Sequence, residues 1–285
     1  MKKLLFMLLR YLGLAKLFRY LKQKDKITIL LFHDIDAKTA EQTFKYLSER
    51  YNIIDLDTYI EAHQKKDPAQ IPKNALIITF DDGHIGNYEM LDAVKKYKVP
   101  LTIFLCTSII NTHRHFWFMY DKRSISKAEL KQKSNQQRLK LLAKDGFFQE
   151  KRFKQAQALN KEQIDKMSSI INMQAHTMFH PILPKCNNQE ARREIIQSKT
   201  MLEKKYGFKI NTIAYPNGDY CDRDIKIAKE AGYTCGITVD YGFNDLNTNL
   251  FKLKRFSVND TKDINELAVK SSGLWAFLKS KKEYA

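Results

Sequence analysis

The chain has no long apolar run, no closely paired cysteines and too few acidic residues to balance its basic ones. Near the start, residues 4–9 form six consecutive apolar positions before Arg10 interrupts them. That is far short of the roughly 20 needed to span a bilayer. A signal sequence would need a longer unbroken core, although Gly13-Leu14-Ala15 offers a small-residue cleavage site. The four cysteines, Cys106, Cys186, Cys221 and Cys235, contain no Cys-x-x-Cys, which argues against a zinc knuckle or a redox motif. A chain of this size does not need disulfides, so free thiols in a reducing compartment are expected. Lys and Arg number 49 against 32 Asp and Glu, a net charge of +17. Such a balance attracts nucleic acid, anionic lipid or acidic glycans. No nucleic-acid module is present and the positive charge is spread along the chain. It therefore reads first as a solvated surface and second as a membrane-facing one, with no nucleic-acid partner expected.

What is present is the composition of a globular protein, 44% apolar and 28% charged over 285 residues, enough to bury a sizeable core. Leu14, Leu17, Phe18 and Leu21 recur at i, i+3, i+4 and i+7, with Lys16 and Arg19 on the other side. This predicts a basic amphipathic helix within residues 1–26 that either lies on an anionic membrane surface or packs on the domain. Strand-like apolar runs then alternate with helical periods. Strands are expected at 27–32, 75–80, 101–105, 170–175, 210–215, 233–239 and 251–258. Helices are expected at 39–50, 87–97, after Asn160 (with Gln163 completing a capping box), 189–206 and 222–231. Residues 111–157 break the rhythm with Lys, Gln and aromatic clusters and predict a helical insertion. With no internal repeat or flexible linker, one α/β domain over 27–270 follows, its mainly parallel sheet flanked by helices, with a tail at 271–285.

The polar residues at strand ends carry the chemistry. His33 follows the first run, Asp81-Asp82 the second, His176 the fourth, and Tyr215-Pro216-Asn217-Gly218 the fifth. Parallel α/β folds gather strand C-termini at one face, where active sites form. Asp-Gly alone is commonly a turn, and single histidines are commonly structural. Together, an aspartate with His176 and His180, which one helical turn would bring to one side, make an Asp-His-His set. Three ligands leave a metal an open position, as in catalytic zinc sites. The neighbouring aspartate can then serve as base, so Asp82 is assigned to the metal and Asp81 to the base.

Thr79-Phe80-Asp81-Asp82-Gly83 and His176-Thr177-Met178-Phe179-His180-Pro181 resemble the first two motifs of the NodB-homology polysaccharide deacetylases, carbohydrate esterase family four. Ala214-Tyr215-Pro216-Asn217-Gly218 resembles the third. Leu31-Phe32-His33-Asp34 is similar to the branch containing poly-N-acetylglucosamine deacetylases. The resemblance implies a distorted (β/α) barrel with a helical insertion, and metal-dependent removal of N-acetyl groups from amino sugars of a surface polysaccharide or its lipid-linked precursor. It implies zinc or a related divalent ion on Asp82, His176 and His180, Asp81 as base, and the Asn217 N–H in the oxyanion hole. Two departures stand out. Ala214 occupies the place of an arginine that orients the base, and the last strand, Phe251-Lys252-Leu253-Lys254-Arg255, lacks the histidine that serves as acid. His33 is a candidate for part of either role, or a core histidine; Asp240 is a candidate orienting group. A glycan-binding homologue that has lost turnover, and a deformylase or amidase on a related lipid-linked sugar, are the alternatives. A cytoplasmic location at the inner face of the membrane is expected, with export as the alternative.

Overall fold

The computed structural model describes residues 2–283. The chain opens with α1 (Lys2–Tyr11) and α2 (Leu14–Phe18), the latter running into a wide turn at Arg19–Gln23. Instead of one amphipathic helix, residues 2–23 form two segments broken at Gly13, whose φ is 75°. Then follow β1 (Thr28–Phe32), α3 (Ala37–Ser48), β2 (Asn52–Ile53), α4 (Leu56–Lys65), β3 (Ala75–Phe80), α5 (Leu91–Tyr97) and β4 (Leu101–Leu105). The insertion carries α6 (Lys127–Gln132) and α7 (Asn135–Lys144). The alternation resumes with α8 (Lys161–Met167), β5 (Asn172–Ala175), α9 (Asn188–Tyr206), β6 (Thr212–Ala214), α10 (Asp222–Glu230), β7 (Cys235–Ile237) and β8 (Phe256–Ser257). Two helices close the chain, α11 (Ile264–Ser271) and α12 (Leu274–Glu283). The segment expected as a tail is thus largely helix; residues 284–285 lie outside the described residues.

Strands β1, β3 and β4 are buried at every position, as strands covered on both faces must be. The pairings are all parallel, in the order β7-β6-β5-β4-β3-β1-β8, with β2 beside the start of β3. Leu253 closes the ring. Its N–H donates to Gly236 O at 3.1 Å and its carbonyl accepts from Thr238 N–H at 2.9 Å, while Phe256 and Ser257 pair with β1. One short run therefore bridges β7 and β1, giving a distorted barrel rather than an open sheet.

Local chemistry sets the ends. The Asn160–Gln163 capping box starts α8 as expected, and Asn187 with Glu190 starts α9, which stops at Gly207 in the left-handed region. Strand β5 begins two residues later than expected because the N–H groups of Ile170 and Ile171 still bond to Met167 at the end of α8. Ahead of β8, the Asn249 side chain accepts from Phe251 N–H and turns Leu250–Lys252 into a 3-10 turn. The insertion has its own small core, built on Trp117, Tyr120, Leu130, Leu142 and Phe147 with Ile182, and docks over the C-terminal ends of the strands.

Candidate metal centre and active site

A cavity of about 640 Å³ opens at the C-terminal ends of the strands, within the usual range of small-ligand sites. His33, Asp81, Asp82, His176, His180 and Asn217 all line it. Six residues chosen from sequence are thereby brought to one place.

Asp82 is held in a demanding backbone conformation, φ 76°, directly before Gly83 at φ 72°. A non-glycine residue in this region stores strain, which tends to persist at functional sites. Glycine is required next, because a Cβ at Gly83 would stand 2.6 Å from Leu105 Cδ2. His176 ends β5, and its Nδ1 donates to Ala214 O at 2.8 Å. That bond leaves the Nε2 lone pair free to face inward. His180 is not one helical turn further on. Residues 176–181 form a loop with Thr177 and His180 both at positive φ, 64° and 57°. The loop is pinned from outside: buried Glu194 of α9 accepts from the N–H groups of Met178 and Phe179 at 2.8 and 2.9 Å. Trp117 Nε1 donates to His180 O at 2.8 Å.

The result is a concentrated set of donors. Asp82 Oδ1 lies 3.3 Å from His180 Nε2 and 3.5 Å from His176 Nε2, and one donor atom from each residue lies within 4.8 Å of the others. Ligand bonds of about 2 Å at tetrahedral angles put neighbouring donors roughly 3.3 Å apart. Asp82 Oδ1 is buried with no hydrogen-bond partner, a costly state that a cation removes. Burial and the neighbouring His176 bring His180 down to about 3, so its ring is neutral. Burial resists ionisation of Asp82, but the surrounding histidines hold its carboxyl well below the usual carboxylate range. A carboxylate and neutral imidazoles are the forms a divalent ion binds.

Two partners absent from the sequence expectations complete the set. His84 Nε2 bonds Asp82 Oδ2 at 3.0 Å and so turns Oδ1 toward the histidines. Arg255 is fully buried, and its Nη1 and Nη2 donate to Asp81 Oδ1 and Oδ2 at 2.8 Å each. Its remaining donors reach Thr79 Oγ1 and Thr238 O. Burial opposes the Asp81 charge, but the guanidinium outweighs it and holds the carboxyl below its ordinary range. The arginine sought at position 214 is therefore supplied from beside β8. The available signal was the alternation Phe251, Leu253, Arg255 against Lys252 and Lys254, which puts Arg255 on the buried side of the run, where an arginine requires a partner.

His33 sits across the cavity, half-buried, with Nδ1 3.4 Å from Asp260 Oδ2; its N–H donates to Asp260 Oδ1 at 2.7 Å. Burial disfavours the charged ring, but Asp260 together with Asp82 and Asp81 outweighs burial and raises it to about 9. These carboxylates therefore favour the charged form of the ring. Asn217 occupies a left-handed turn, φ 60°, before Gly218, where a Cβ would stand 2.1 Å from Val239 Cγ2. Lys131 of the insertion donates to the Asn217 side chain. Trp117, Phe118, Met119 and Lys127 of the insertion also line the cavity. Of the insertion's aromatic residues, Phe118 packs on His180 at 4.6 Å between rings, whereas Phe147 belongs to the insertion core and Phe148 is exposed. Asp240 bonds Tyr220 and, through its carbonyl, the Arg255 N–H. All four cysteines are free.

A parallel barrel with an Asp-His-His cluster and an arginine-held aspartate at its mouth defines a class of amide hydrolases. The polysaccharide deacetylase family model matches residues 69–236, more than half of the chain, and the chain belongs to that family. Its members are hydrolases of amide bonds that depend on a divalent metal. The chain is similar to YxkH of Bacillus subtilis (strain 168), named there as a candidate polysaccharide deacetylase. Identity is 23% over 246 residues, covering 82% of this chain and 72% of that protein. It is also similar to the poly-beta-1,6-N-acetyl-D-glucosamine N-deacetylase of Staphylococcus aureus (strain MSSA476), 25% identical over 197 residues. That match covers 68% of this chain but 58% of the staphylococcal enzyme. Among solved structures, the Streptococcus pyogenes deacetylase PplD in complex with acetate superposes with a TM-score of 0.63 at 20% identity. It covers 88% of this chain and 97% of that one. IcaB from Ammonifex degensii gives 0.61 at 16% identity, covering 88% and 98%. These two establish the shared fold.

Proposed function

We propose that this protein removes N-acetyl groups from amino sugars of a surface polysaccharide or its lipid-linked precursor, with zinc as its ion. The observation that carries the reading is the meeting of Asp82, His176 and His180 with the Asp81–Arg255 pair on one cavity floor. An ion held by Asp82, His176 and His180 would polarise the acetyl carbonyl and lower the pKa of a water to about 7. Asp81 would take that water's proton, and Arg255 keeps the carboxylate ionised and correctly turned for it. The Asn217 N–H would donate to the developing oxyanion. His33, charged and oriented by Asp260, would give its proton to the departing sugar amine.

Lys127 and Lys131 at the cavity wall favour a substrate carrying negative charge, as a lipid-linked sugar does through its phosphates. Such a substrate would bring the protein to the inner face of the membrane, and four free thiols fit that compartment. The missing arginine and histidine were the grounds for a glycan-binding homologue without turnover. Arg255 and the His33–Asp260 pair offer groups of both kinds, which supports turnover over that reading. The deciding experiment measures acetate release from N-acetylglucosamine oligomers and from a lipid-linked N-acetylamino sugar, with Asp81→Asn as control. Binding without release by metal-loaded protein would return the reading to a glycan binder. Formate released from N-formyl substrates alone would make it a deformylase.

A further inference from the structure

Helix α1 buries Phe6 and Leu9, and α2 buries Ala15, in a small satellite core with Val269 of α11 and Leu274 of α12. Their outward sides are apolar too. Of the seventeen exposed large hydrophobic side chains among the described residues, ten lie between Leu4 and Leu21, and Phe277 and Leu278 of α12 add two more. Leu4, Leu8 and Leu12 recur at i, i+4 and i+8 and are 57%, 46% and 70% exposed. Leu14, Leu17 and Leu21 continue the ridge at i, i+3 and i+7. The stripe legible in the sequence is therefore mostly turned away from the domain, with only Phe18 packed inward.

Charge identifies the occupant. Residues 1–24 contain seven Lys or Arg and no Asp or Glu. Soluble proteins rarely leave an apolar patch of this extent in water. A second copy of the chain would bring the same seven cations against one another, which like-charge repulsion opposes. An anionic bilayer surface satisfies both features, since leucines enter the acyl boundary while lysines reach the headgroups. No helix among the described residues is long and apolar enough to cross a membrane, so the contact is with one leaflet.

We infer that residues 4–21 are a docking surface for an anionic membrane leaflet, with the ridge from Leu4 to Leu21 inserted and the flanking lysines on lipid phosphates. The test is co-sedimentation of the full chain with phosphatidylcholine–phosphatidylglycerol vesicles and with phosphatidylcholine alone. The protein should pellet with the anionic vesicles, less with the neutral ones, and less again as salt rises. Leu8→Glu with Leu17→Glu should weaken binding about tenfold or more, with an unchanged melting temperature. The milder Leu8→Ser/Leu17→Ser pair keeps the measurement readable if the charged pair folds poorly. Wild-type protein left in the supernatant, or variants that bind as wild type does, would overturn the inference. So would a dimer in light scattering that the same substitutions dissolve, or native protein that begins beyond Leu21. No sugar enters the measurement, so its outcome is separate from that of the deacetylase assay.

Discussion

Arg255 grips Asp81 with two parallel hydrogen bonds of 2.8 Å across 174 residues of sequence. The two side chains are almost wholly buried, so neither charge has water to fall back on. Removing the arginine strands a buried carboxylate, which costs about 3–5 kcal/mol. Arg255→Ala should therefore lower the melting temperature and abolish acetate release. Arg255→Lys keeps charge but loses the fork, and should recover stability more than rate. Thermal unfolding beside kcat/KM separates the two; a stable, fully active alanine variant would remove Arg255 from the site.

Metal content offers a second check. His176→Ala and His180→Ala should each lose the ion in elemental analysis, whereas Asp81→Asn should keep it and lose turnover by about 10²–10⁴. Chelation should lower the melting temperature, because ligand at 100 times its Kd stabilises by about 2.7 kcal/mol. Unchanged metal in either histidine variant would refute the ligand set.

The acid role proposed for His33 predicts a pH dependence with a definite sign. The group works protonated, so kcat/KM should fall as pH rises through its pKa, at or below about 9, because a bound cation pushes the value down. Asp260→Asn removes the partner that stabilises the charged ring and should move this limb to lower pH. His33→Gln should erase it at a much reduced rate with metal retained. An unmoved limb in the Asp260 variant would detach the pair from the mechanism.

Lys127 points to substrate charge. Its ammonium stands 5.5 Å over the Phe118 ring at the cavity wall. Lys127→Glu should raise KM for a phosphorylated N-acetylamino sugar about five- to thirtyfold, or about 1–2 kcal/mol, with little effect on a neutral N-acetylglucosamine oligomer. Equal effects on both substrates would mean that the lysine does not read charge.

Much of the fold was readable because it is local. The runs at 75–80 and 101–105 coincide with β3 and β4 residue for residue, since continuous apolar stretches bounded by turns have few other uses. Strands β5 and β7 start late because the ends of α8 and α10 hold the preceding N–H groups, and β6 starts late where the Gln174 side chain accepts from Asn211 and Thr212 N–H. Of the elements overlooked, β2 is only two residues long, whereas α4 was legible in its Leu56, Tyr59 and Ile60 stripe and in the Asp55 cap on Thr58 N–H. The loop carrying His176 and His180 was misread as a helical turn, because i, i+4 spacing says nothing of the positive φ at Thr177 and His180.

The sequence by itself determined the alternating architecture, the gathering of Asp81, Asp82, His176 and Asn217 at strand ends, and the family. Adjacency along the chain and the strand–helix period carry that information directly. Tertiary structure alone decided what completes the site and what the N-terminus faces. Arg255 reaches Asp81 over 174 residues and Asp260 reaches His33 over 227 only because the last strand closes the barrel beside the first. Whether Leu14, Leu17 and Leu21 pack inward or face out depends on which side of α2 meets α12, a choice that periodicity leaves open.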